Sequence, residues 1–80
     1  MTHAVTAEIV ATVMSVDVKV GDTVTPQDPI VVLESMKMEI PVLADVNGRV
    51  TEVSVAAGDV VHDGDPLVLI EPAASERAGR

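Results

Sequence analysis

The stretch Glu34-Ser35-Met36-Lys37-Met38-Glu39 holds one of only two lysines in the chain, set between two methionines and, outside those, two glutamates. A primary amine is a nucleophile once it has shed its proton, so a lone lysine framed in this way is a candidate for covalent chemistry. The rest of the sequence offers little competition. There is no cysteine, which removes thiolate chemistry and disulfides. His3 stands near the terminus and His62 in a turn, neither with the spacing of a metal site, and both read as surface residues. No Ser/His/Asp set and no phosphate-binding glycine loop is present. No catalytic residue and no metal ligand is therefore expected.

The elements that must position Lys37 come from an internal repeat. With Gly21 aligned to Gly58, Val13, Val16, Val18, Gly21, Asp22, Val24, Asp28, Pro29, Val31 and Glu34 meet Val50, Val53, Val55, Gly58, Asp59, Val61, Asp65, Pro66, Val68 and Glu71 without a gap. Each half opens on an alternating segment, VMSVDVKV or VTEVSV, the period of a strand with one wet face. In the first of these Val16, Val18 and Val20 are expected to point inward, and Asp17 and Lys19 outward. A short strand follows each Gly-Asp pair, and the runs after Pro29 and Pro66 are nearly continuous apolar strands, with proline tolerated at the start. Between the halves lie the strand-like MEIPVL and an Asn47-Gly48 turn signal. One such strand set cannot bury its own apolar face, whereas two related sets can. The expectation is an all-β flattened barrel or sandwich of two small antiparallel sheets with two-fold pseudo-symmetry, a barrel-sandwich hybrid. It spans residues 1–71 and precedes a disordered tail at 72–80.

Composition narrows the function. Eighty residues form one domain with no room for a deep substrate pocket. A net charge of −8 opposes a phosphate-backbone contact surface, and without aromatic residues nothing can stack on a base. Seventeen valines favour pleated, half-buried surfaces. Neither a secretory leader nor a membrane-spanning stretch is expected, and a cytoplasmic location follows.

The strand ending at Glu34 and the one beginning near Glu39 are predicted to close as a tight hairpin with Met36 and Lys37 at its tip. Two-residue hairpins need positive φ and favour Asn-Gly, so Met-Lys is a poor local choice. A lysine in a turn is most often solvation alone, and methionines ordinarily fill cores. A soft apolar collar around an exposed amine, however, has no packing rationale, and a broken turn rule without compensation marks a place for function. Lys19 is the control, for which solvation suffices.

The motif ESMKME in this repeat strongly resembles the attachment motif of biotinyl domains, as in the biotin carboxyl carrier proteins and carrier segments of biotin-dependent carboxylases. The resemblance runs from about Glu8 to Glu71 and includes NGRV and DGDPL. Ser35 stands where many members have alanine. The resemblance implies that Lys37 is the acceptor for covalent biotin. A biotin protein ligase forms biotinyl-adenylate and the amine attacks it, taking the charge from −8 to −9 through loss of one cation. Met36 and Met38 would be ligase and partner recognition contacts, with Glu34, Ser35 and Glu39 as a flanking motif. The implied partners are the ligase, a biotin carboxylase and a carboxyltransferase, the last passing a carboxyl group to an acyl-CoA or keto acid. The chain itself would be a non-catalytic carrier. Two alternatives stay open: a lipoyl carrier domain, which shares the fold but usually lacks the methionine pair, and an unmodified β-sandwich interaction module.

Overall fold

A computed structural model describes residues 2–73. Eight strands follow in order: β1 (His3–Thr6), β2 (Ala11–Val16), β3 (Thr23–Val24), β4 (Pro29–Ser35), β5 (Met38–Leu43), β6 (Gly48–Val53), β7 (Val60–Val61) and β8 (Pro66–Pro72). They form two four-stranded antiparallel sheets, β1-β8-β6-β3 and β5-β4-β2-β7. An offset of 37 carries one strand order onto the other, which is the expected two-fold pseudo-symmetry (58 − 21 = 37). The halves are not one sheet each, as a face-to-face stacking of halves would give. Each sheet takes two strands from either half, so neither half closes a core without the other.

The core repeats with the chain. Ile30 and Leu67, Val31 and Val68, Leu33 and Ile70, Val13 and Val50, Val24 and Val61, and Ala7 and Ala44 are all buried, pair by pair. In β2 and β6 the inward valines are spaced by three (Val13 and Val16, Val50 and Val53), which strict alternation cannot satisfy. A register shift between Val13 and Ser15 against β4, matched between Val50 and Glu52 against β8, absorbs the extra residue and keeps both valines inward.

Four aspartates fix the turns between these strands. Asp22, Asp28, Asp59 and Asp65 each accept a hydrogen bond through Oδ2 from the backbone N–H three residues earlier, at 2.8–3.0 Å. The backbone N–H of each returns the bond to the carbonyl of that same residue, at 2.9–3.0 Å. At Gly21 and Gly58, φ is +99° and +98°, values that need no Cβ. These two glycines then tie the halves together. Gly21 N–H donates to Val50 O and Val50 N–H to Asp22 O, while Gly58 N–H donates to Val13 O and Val13 N–H to Asp59 O, all at 2.8 Å. Because Asp22 and Asp59 hold equivalent turns, Asp22→Ala and Asp59→Ala are expected to cost the same, about 1 kcal/mol each. Thermal melts would read this as a drop of roughly 4–8 °C in either variant.

Four expectations change. Val20 is exposed in a turn, because β2 ends at Val16; Val16 and Val18 are half-buried against the core. Lys19 is exposed as expected but begins the turn closed by Asp22, outside any strand. Asn47-Gly48 is not a hairpin tip, since β5 and β6 belong to different sheets and Gly48 already lies in β6. Finally, β8 runs through Pro72, and Ala73 N–H donates to Asn47 O at 2.9 Å, so order extends past Glu71. The remainder of the expected tail lies outside the described residues.

Candidate functional site

The β4–β5 hairpin has Glu34 opposite Glu39 and Ser35 opposite Met38, which leaves Met36 and Lys37 as a two-residue loop. Their φ values are +53° and +65°. Positive φ at both central positions is the signature of a type I′ turn, whose twist matches the flanking strands. Pairing from Leu33–Ile40 back through Val32–Pro41 pins the register and makes this turn obligatory. Pro41 fits because β5 is an edge strand, where a missing ladder donor is tolerated.

Left-handed backbone costs an L-residue with a Cβ roughly 1–2 kcal/mol. The chain accepts that cost twice in succession, at Met36, which is 91% exposed, and at Lys37, which is exposed too; Met38, just past the turn, is 64% exposed. The one contact within salt-bridge distance among the described residues is elsewhere, between His62 Nδ1 and Asp65 Oδ2 at 3.7 Å. Glu34 and Glu39 are exposed, and Ser35 is half-buried. The six motif residues are thus brought together, with the lysine at the apex. The double replacement Met36→Asn with Lys37→Gly is expected to raise stability by roughly 1–2 kcal/mol through relief of the turn. An increase in the urea midpoint at unchanged slope would report it.

Among the described residues no group of three or more His, Cys, Asp or Glu side chains could hold a metal, and no helix is long and apolar enough to cross a membrane. A groove between the edge strands β1 and β5 is lined by apolar groups such as Val5, Ile9 and Ile40 together with His3, Glu8 and Asp45. The hairpin places the Lys37 amine at an exposed apex.

The strand the sequence concealed was β1. Its counterpart is β5, and the signal was there in Val5 with Val42 and Ala7 with Ala44, two weak identities upstream of the main run.

Set beside known proteins, residues 2–70 match the family described as "Biotin-requiring enzyme". A biotinylated protein of Mycobacterium leprae, a TB7.3 homolog, is 59% identical over 46 residues, which make up 58% of this chain and 65% of that protein. Among solved structures, a single-chain, multi-domain long-chain acyl-CoA carboxylase superposes with a TM-score of 0.84 at 33% identity, covering 90% of this chain and 7% of that one. The lipoyl domain of the 2-oxoglutarate dehydrogenase complex from Azotobacter vinelandii gives 0.67 at 29% identity, covering 91% and 96%. The scaffold is common to biotin- and lipoate-bearing domains, and the match extends over nearly all the described residues: the chain belongs to the biotin/lipoyl attachment-domain family.

Proposed function

We propose that this chain is a biotin carrier domain, with biotin joined by an amide to Lys37 Nζ. The observation that supports it most is the turn: a strained pair of positive-φ positions is given to Met36 and Lys37, where Asn-Gly would be cheaper, and the product is an unobstructed amine. Biotin, when attached, supplies a ureido ring able to carry a carboxyl group. The chain's own part is mechanical. The β4–β5 hairpin carries the amine into a ligase site where burial or a base favours its neutral form. The sandwich then holds the attachment point rigid while the lysine side chain swings, which raises the effective concentration of the tethered group at each partner. In this reading the partners are a biotin protein ligase, a biotin carboxylase and a carboxyltransferase, and the chain contributes no catalytic group. The setting is the cytoplasm, where ligase and ATP meet.

The methionine pair favours biotin over lipoate. Met36 and Met38 present soft apolar surface beside the acceptor, contacts that distinguish Lys37 from Lys19 for the ligase. Met36→Ala and Met38→Ala are expected to lower the labelling efficiency several-fold while stability stays within about 0.5 kcal/mol, as for exposed positions generally. A large loss of melting temperature instead would make them structural. The carrier role is tested by capture on immobilised streptavidin from native cells. Co-eluting biotin carboxylase or carboxyltransferase subunits are expected; recovery of biotinylated chain with no such subunit, across salt conditions, would contradict that role.

A further inference from the structure

The repeat provides an internal control for the surface. Each position on the outer face of one sheet has a counterpart on the other, so a difference in polarity between them is not demanded by the fold. On the sheet that carries Lys37, Met14 is 41% and Val60 62% exposed. Their counterparts at the 37-residue offset are Thr51 and Thr23, exposed on the other sheet. Val10, exposed just before β2, stands where the second half has Asn47, and exposed Leu43 stands where the other sheet has Thr6. The differences within strands place the apolar residue on the same sheet, and Val10 lies at its border.

Charge follows the same asymmetry. Glu71 faces Arg49 across β6 and β8. The equivalents on the Lys37 sheet are Glu34 facing Thr12, with Glu39 directly opposite on the other side. Like charges directly opposed across strands are destabilising, and among the described residues neither glutamate has an ion-pair partner. Val60, Thr12, Glu34 and Glu39 form one continuous row over four strands. At about 4.8 Å per strand this row is roughly 14 Å wide and lies just beneath the turn.

We propose that the outer face of the β5-β4-β2-β7 sheet, continued at the tip by Met36 and Met38, is the docking surface for the protein that acylates Lys37. That partner presents an apolar patch bordered by basic side chains opposite Glu34 and Glu39. The proposal rests on the biotin-acceptor reading. A second copy of this chain is the wrong occupant, since two faces carrying the same glutamate pair on chains of net charge −8 repel.

The probe is biotin protein ligase acting on the full chain with biotin and ATP. Met14→Thr with Val60→Thr installs the residues that the mirrored sheet already tolerates. This double variant is expected to raise the KM for the carrier at least tenfold, with kcat and the melting temperature unchanged. The reciprocal Thr51→Met with Thr23→Val should stay within twofold. In a separate measurement on the unmutated protein, ligase should broaden the backbone amide signals of Thr12, Met14, Val32 and Val60 and spare Thr23 and Thr51. Wild-type labelling with the first double variant within twofold of it, or broadening centred on Thr23 and Thr51, would overturn the docking face and leave Lys37 as acceptor. Absence of labelling in the wild type would remove both.

Discussion

The Lys37→Arg protein is expected to take up no biotin from ligase, biotin and ATP while melting as the wild type does. Arginine preserves charge and reach, and it meets the positive φ at this position on the same terms as lysine. What changes is the nucleophile. A guanidinium holds its proton about two to three pH units more tightly than a primary amine, so its neutral form is roughly a hundred to a thousand times rarer. Its delocalised lone pairs are poor acyl acceptors besides. The fold should not register the exchange, because the side chain is exposed and buries nothing. Labelling that persisted would move the acceptor to Lys19, which lies in a turn closed by Asp22 rather than at a hairpin apex.

Gly48→Ala should be strongly damaging to the scaffold. A Cβ at this position would collide with the carbonyl oxygen of Glu71 and come within 2.7 Å of Ile70 Cγ2 and 3.0 Å of the Glu71 carbonyl carbon. β6 lies between β3 and β8, paired with both, so Gly48 cannot retreat from one partner without losing the other. Overpacking of this kind typically costs 1–3 kcal/mol, and with backbone as the obstacle the upper end applies, about 3 kcal/mol. For a domain of this size that is a fall of roughly 10–20 °C in Tm. Ala11, the equivalent in the first half, already carries a Cβ in a buried position. Ala11→Gly should therefore cost only about 0.5–1 kcal/mol, the ordinary backbone entropy of glycine. A Gly48→Ala protein melting within 3 °C of wild type would show that β8 can yield.

Those two positions illustrate what the sequence disclosed and what it withheld. The repeat identified β2 with β6, β3 with β7 and β4 with β8, because inward valines, turn aspartates and strand-initial prolines are physical requirements that recur wherever the fold recurs. It fixed equivalence, but not pairing: nothing in an offset of 37 says that β3 crosses to the sheet of β6 and β7 to that of β2. Asn47-Gly48 was misleading for a related reason. The dipeptide satisfies a local turn preference, whereas Gly48 answers to Glu71, far along the chain. Alternation alone points Val20 inward, but β2 ends at Val16 and the turn closed by Asp22 follows.

At the site the legible part was the conflict itself. Met-Lys in a two-residue turn contradicts turn propensity, and the strand pairing of Glu34 with Glu39 shows that the contradiction is real. The apolar outer face is not legible in the sequence, because single exposed hydrophobics carry no message on their own. Met14 and Val60 become informative only when the structure places Thr51 and Thr23 at the mirrored positions.

The most direct measurement is fragmentation mass spectrometry of the protein isolated from its native cells. A single biotinyl amide located on Lys37, with Lys19 unmodified, is the expected result. A lipoyl group at Lys37, or an unmodified Lys37 in cells whose other carriers are fully biotinylated, would contradict the proposal that this scaffold exists to present that amine for biotin.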